Sequence, residues 1–387
     1  MTVKFSPSFF AFSTISILVL LLAFKPPAAG QELQLKSVSQ LKFLNSFVLP
    51  HDLQYKKTTV GGLSGIDWDP GSDTYYMICD DRSHRNPARF YTAKIKVSAK
   101  GIDTVILKKT VVLRQQDGSS YPEKAAMGSK TSDPESIRYN ALNKSLLWTS
   151  EGERLTDSDR VLINPAINIV SLKGKYLDTI PLPENLKMHS NESGPRRNGV
   201  LEGSTFADNF RNLYICTEEP LYQDGPRADL IRNKAFVRVY KFDMQQKLNT
   251  AQYAYELEPI PFPVAKKDGS MNNGVPDILY LGKNRLLITE RAFSAGRKGA
   301  NVKVFLADFN RAENIIGNPS LISKPSTAPV SKRLLLNMDD LGIYIDNIEG
   351  ATIGPLLPNG HQTLMFIADN NFKDYEQNQF LIFEVIP

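Results

Sequence analysis

Five stretches of the chain set acidic residues in a recurring frame. They are GGLSGIDWDPGSDTYYMICDD from Gly61, DPESIRYNALNKSLLWTSEGE from Asp133, VLEGSTFADNFRNLYICTEEP from Val200, VPDILYLGKNRLLITERAF from Val275 and NIEGATIGPLLPNGHQTLMFIADNNF from Asn347. Each opens on a polar or acidic residue: Ser64, Glu135, Glu202, Asp277 and Glu349. Each closes on an acid: Asp80, Glu151, Glu218, Glu290 and Asp369. Carboxylates brought together raise one another's pKa, so the set needs a neutraliser. Arginine is one, since Arg82, Arg154 and Arg291 closely follow a closing acid. A hard cation is another. Ca²⁺ takes oxygen ligands from Asp, Glu, amide and backbone groups, and Asn370 and Asn371 adjoin Asp369. A third reading leaves the acids structural, bonded to backbone amides between repeats. Glu202 and Glu218 favour the metal reading most, because only Glu219 and Pro220 follow Glu218. Calcium suits such all-oxygen sets better than zinc, which asks for His or Cys.

The frame recurs about every 70 residues, which marks a repeat architecture. Inside each unit, a short strand, a turn with Asn, Gly or Pro and a second apolar strand separate the two polar positions. Two more runs with strand character follow in the first four units, such as RFYTAKIKV and TVILKKTVVL after Asp80. After Asp369 only QFLIFEVI remains. The missing strand has a candidate at the other end, LKFLNSFVLP from Leu41 to Pro50. Four-stranded units arranged radially make a β-propeller. The expected fold is all-β, with five four-stranded blades and the N-terminal strand completing the last. Six blades is the alternative. Antiparallel pairing sets the start of each first strand beside the end of the second. All five pairs should therefore converge on one channel mouth. Gly203 and Gly350 follow an acid on an inner strand, where glycine permits close backbone approach.

Residues 1–30 read as a signal peptide. Lys4 is the only charge before the apolar run from Phe9 to Phe24, and Ala28 and Gly30 fit a cleavage site before Gln31. The run is short for a bilayer span. Residues 31–387 then form a single exported domain, secreted or periplasmic, with no stable membrane span once the leader is removed. The full chain has 387 residues, 46 basic against 41 acidic, and a formal charge of +5. Its basic residues are scattered, which speaks against a nucleic-acid partner. Two cysteines exclude a disulfide-dense scaffold. Cys79 and Cys216 fall in non-adjacent units and are expected as buried free thiols. Trp68 and Trp148 are expected in the core. No G-x-S-x-G elbow, H-E-x-x-H, C-x-x-C or Walker A pattern occurs. His84, in DDRSHRNPARF right after Asp80, is the only histidine expected near the channel mouth; it reads first as a solvated loop residue and second as a proton carrier or phosphate contact.

The segments GGLSGIDWDP, DPESIR, the EGS of VLEGSTF, TERAF and NIEGATIGP resemble the phytase-like family, esterase-like activity of phytase, over about Val60 to Pro387. The resemblance implies an exported propeller that hydrolyses phosphoric or carboxylic esters. By analogy with calcium-dependent propeller phytases, Asp80, Glu135, Glu151, Glu202, Glu218, Asp277, Glu290, Glu349 and Asp369 would carry calcium and activate water. Within that reading Glu151, Glu218 or His84 moves the proton, and Arg82, Arg85 and Arg291 contact phosphate. The partner is then a small-molecule ester or phosphoester, and the protein a monomer. A carboxylic esterase or lactonase is one alternative function. A non-catalytic binding propeller with structural calcium is the other.

Overall fold

The computed structural model describes residues 37–123, 131–157, 160–265 and 268–387. The expected signal peptide, residues 1–30, lies outside the described residues. Five four-stranded antiparallel sheets account for nearly all the regular structure. Blade I comprises Gly65–Asp69, Thr74–Cys79, Arg89–Ser98 and Gly101–Val112. Blade II comprises Pro134–Asn140, Ser145–Ser150, Ala166–Ser171 and Tyr176–Ile180. Blade III comprises Leu201–Ala207, Asn212–Thr217, Phe236–Asp243 and Leu248–Glu256. Blade IV comprises Met271–Gly282, Arg285–Ser294, Asn301–Asp308 and Ser331–Asn337. Blade V takes Asn347–Leu356, Gln362–Asp369 and Asn378–Ile386 from the end of the chain and Gln40–Leu49 from its beginning. That closing strand runs in register from Gln40 opposite Ile386 to Leu49 opposite Asn378. The fold is thus a five-bladed propeller, with its ring closed as the repeat arithmetic requires.

The first strand of each blade touches the first strands of its two neighbours, so these five strands surround the axis. Tight turns join first to second strands, and residues such as Asp73, Lys144, Asn209 and Asn284 take positive φ there. One apolar cluster fills each interface between blades. Between blades I and II, for example, Ile78 and Phe90 pack with Ile137, Leu146 and Trp148. The alternation of the strands supplies these clusters, because each sheet buries both faces against its neighbours. Cys79 and Cys216 are buried and free, and Trp148 lies in the core. Two short 3-10 turns, Glu184–Leu186 and Met338–Leu341, are the only helical elements among the described residues. None of the helices there is long and apolar enough to cross a membrane.

Close approach at the axis is where glycine matters. A Cβ on Gly350 would stand 2.9 Å from Gly65 Cα, and one on Gly203 would stand 2.9 Å from Asp277 Cα. Arg138, on the inner strand of blade II, fills the axis below that level. Its guanidinium donates to Ile66 O of blade I at 2.7 Å, Ser204 O of blade III at 2.5 Å and Ala351 O of blade V at 3.1 Å. In blade IV it reaches both carboxylate oxygens of Asp277, at 2.5 and 2.7 Å. One side chain therefore ties all five inner strands together.

Candidate metal centre

The acids gather at the end of the axis where the inner strands begin. Glu135, Glu202 and Glu349 each sit at an irregularity of their inner strand: the pairing shifts between Pro134 and Ile137, Leu201 and Ser204, and Ile348 and Gly350. A bulge re-aims a side chain out of the sheet's regular alternation. The closing acids come in by backbone bonds, as Glu151 N donates to Asp133 O and Glu218 N to Val200 O. Carboxylate oxygens of Glu135, Glu151 and Glu202 lie within 4.8 Å of one another, and so do those of Asp80, Asp133 and Glu135. Glu135 belongs to both groups. All these residues are buried except Asp80, which is half-buried.

The electrostatics follow from that crowding. Burial, then the neighbouring acids Glu202 and Asp80, hold the Glu135 carboxyl well above its usual range. Burial, then Glu218 and Glu151, do the same to Glu202. No hydrogen bond or ion pair from a described residue reaches either side chain. Burial raises Asp80 and Asp133, whose carboxyls hydrogen-bond to each other, while Arg82 opposes the rise. Glu151 is pushed up to about 7 by burial and by Glu218, although Gly199 N and Val200 N each donate to its Oε1 at 2.6 Å. Asp369 is lifted well above its usual range by burial and by Glu349 and Asp80, and Asn371 N donates to it at 2.7 Å.

Two arginines hold the ring's edges. Arg82 Nε donates to Asp133 at 2.6 Å, and its Nη1 reaches Glu153 at 3.4 Å. Arg291 stands between Glu218, 2.6 Å away, and Glu349, whose carboxyl burial nevertheless pushes up to about 7. The expectation that no arginine neutralises Glu218 is corrected here. Arg291 crosses from the next blade, a contact that local spacing does not show. Arg291 is itself buried with both carboxylates on it, so it positions them rather than facing a substrate. Arg154 leaves the ring altogether; it donates to His189 O and Asn191 O and stacks on Tyr222. His84 is exposed, anchored through its backbone N–H to Asp81, and Arg85 lies over the Phe372 ring.

Blade IV departs from the expected ring. Its pairing shifts between Gly274 and Asp277, so Val275 and Pro276 occupy the irregularity where blade III has Glu202 and Gly203. Asp277 therefore lies deeper and binds Arg138, with its carboxyl at about 6 because burial outweighs that arginine. Glu290 turns away from the ring, accepting from Tyr255 of blade III and Glu258 N just after it and from Asn273 and Lys332 of its own blade, at 2.6–2.9 Å. Ser64 of blade I donates to Glu135 O at 2.8 Å and is a strut for the neighbouring strand. Two acids of the site had no place in the repeat frame. Asp133 stands two residues before Glu135 in DPESIR, just ahead of the inner strand of blade II, where its backbone N–H donates to Ser150 Oγ at 3.0 Å. Glu153 bridges Arg82 and Arg197 at the rim.

The family model for the phytase-like domain, esterase-like activity of phytase, matches residues 58–372. The chain belongs to the phytase-like family. No curated protein matches this phytase-like chain. Solved structures similar to it include an endo-arabinase from Bacteroides thetaiotaomicron, at 12% identity, covering 92% of this chain and 98% of that one with a TM-score of 0.40. They also include an arabinanase from Bacillus subtilis, at 12% identity, 88% and 96% coverage and a TM-score of 0.41. A periplasmic gluconolactonase from Pseudomonas aeruginosa is similar at 11% identity, 85% and 87% coverage and a TM-score of 0.35. At this level of likeness none of the three bears on the chemistry of the phytase-like chain. Its own donor set does bear on it. Five carboxylates with no His or Cys fit a hard, oxygen-seeking ion, and among the described residues no hydrogen bond or ion pair reaches Glu135 or Glu202, which feel Arg82 and Arg291 only at longer range.

Proposed function

We propose that this phytase-like propeller is an exported, calcium-dependent phosphoesterase acting on small molecules at the acidic mouth. The observation that carries the reading is the pair of three-carboxylate groups sharing Glu135, with Glu135 and Glu202 unpartnered. Asp80, Asp133, Glu135, Glu151 and Glu202 would hold the ion. When bound, a divalent cation binds phosphate oxygens, lowers the pKa of a water and offsets charge in the transition state. Glu151 would meet the ion through Oε2, since its Oε1 is fixed by two backbone N–H groups. Arg291 holds Glu218 and Glu349, which leaves them outside that ligand set. Arg82, a quarter exposed at 24%, and Arg197, at 53%, share Glu153 and give the rim its affinity for an anionic substrate. No role falls to His84. The leader ending at Gly30 would direct export, and the mature protein would work as a monomer without nucleic acid.

A hydrolysis panel of phytate, p-nitrophenyl phosphate and p-nitrophenyl acetate, run with calcium and with chelator, tests the proposal. Calcium-dependent release of phosphate is the expected result. Turnover of the acetate alone would make the protein a carboxylic esterase. Tight calcium binding without turnover of any substrate would make it a binding propeller.

A further inference from the structure

The five acids of the mouth do not converge on one point. Two oxygens bonded to opposite sides of one calcium ion stand about 5 Å apart. Among the described residues, the five carboxylates reach that spacing only as two groups of three, each with its oxygens within 4.8 Å of one another. Asp80, Asp133 and Glu135 form one group; Glu135, Glu151 and Glu202 form the other. Glu135 alone belongs to both, and its carboxylate has two oxygens with which to face two sides. The groups also differ in their surroundings. Asp80 is half-buried, and Asp133 already accepts from Arg82 Nε at 2.6 Å. Glu135, Glu151 and Glu202 are only 6%, 3% and 8% exposed. No ion pair from a described residue reaches those three, and Glu151 Oε1 is taken by Gly199 N and Val200 N.

We propose that the mouth holds two divalent cations, with Glu135 as the bridge between them. The inner position takes Glu135, Glu151 and Glu202; the outer takes Asp80, Asp133 and Glu135. Buried carboxylates this close repel one another unless a positive charge stands between them, and each group offers oxygen alone, which suits a hard ion. Because its acids include the half-buried Asp80, the outer position is the one that an anionic molecule entering the mouth would meet. The inner position is walled by buried carboxylates and by the backbone of Gly199 and Val200. Loss of an acid from one group should then empty one position, whereas loss of Glu135 should disturb both. The inference rests on the metal reading of the mouth and not on phosphoester hydrolysis.

Equilibrium dialysis of the whole mature protein against calcium counts the ions. Two per chain are expected in wild type, one in Asp133→Asn and one in Glu202→Gln. Changing even an outer partner of a metal ligand weakens binding about 10–100-fold, so Glu135→Gln should weaken both ions at least about tenfold. Terbium luminescence, with lifetimes compared in H2O and D2O, counts the waters on each ion and needs no variant. Two lifetimes are expected, and inorganic phosphate should lengthen only the shorter, water-rich one by displacing water from the outer ion. Asp133→Asn should remove the shorter lifetime and Glu202→Gln the longer. One ion in wild type overturns the proposal and leaves the calcium reading intact; no ion overturns both. Two ions that are lost together in Asp133→Asn, or a Glu135→Gln protein that binds both as tightly as wild type, overturn the division of ligands. Two ions divided as expected, without turnover of any phosphoester, uphold it while the phosphoesterase reading fails.

Discussion

Glu135 is the carboxyl on which both three-acid groups meet, and no described donor reaches it. Removing its charge should cost the site more than removing any acid already held by arginine. Glu135→Gln and Glu202→Gln are each expected to abolish most of the calcium-induced rise in melting temperature, whereas Glu218→Gln should preserve much of it. Calorimetric scans with and without calcium decide this, and equal responses in all three variants would contradict it. Proton linkage makes a second prediction. Glu151 and Glu349 rise from 4.5 in the unfolded chain to about 7 in the fold. Folding then favours their protonated forms, so their contribution is complete below about pH 4.5 and is lost as pH climbs through about 7. Without metal, melting temperature should therefore fall between pH 5 and pH 8, on the order of a few degrees per kcal/mol lost. Calcium must displace those protons, so its affinity should increase over the same interval. A melting temperature in chelator that climbs from pH 5 to pH 8 would argue against a crowded, protonated cluster.

At the scale of the strand, the repeat was legible because its signals are local. Alternation, turn residues and spacing lie within a few tens of residues, and they recover five blades and the Gln40–Leu49 closure. Blade IV was misread for a physical reason. Pairing register depends on where a bulge falls, and VPDILYLG gives no local sign that Val275 and Pro276 take it. The acids on either side then seemed to match Glu202 and Glu218 although they face elsewhere. The same limit hid the Arg291–Glu218 contact, which joins blades rather than neighbours in sequence. What composition does mark is the glycine at each close approach. A valine at Gly350 would push against the backbone of Gly65 and Ile66, and Gly350→Val is expected to destabilise by about 1–3 kcal/mol. Urea titration measures it; an unmoved midpoint would mean that the inner strands separate at little cost.

For the molecule as a whole, Arg138 stands out because it sits in blade II and bonds to the inner strands of the other four. Taking it away strands Asp277, buried, without its partner. Loss of one member of such a pair costs roughly 3–5 kcal/mol, so Arg138→Met should unfold at much lower denaturant than wild type. The double change with Asp277→Leu should recover part of the loss, because it removes the orphaned charge as well. A single variant as stable as wild type would show that the axis is held by packing alone. The strand Gln40–Leu49 has a different consequence, one of timing. It is made first among the blade strands, yet its partner, Asn378–Ile386, is made last. Through synthesis and any passage across a membrane it is an edge in waiting, with backbone groups free to bind the wrong neighbour. The ring thus has a definite final event, and whatever shields that first strand until then governs how much protein arrives intact.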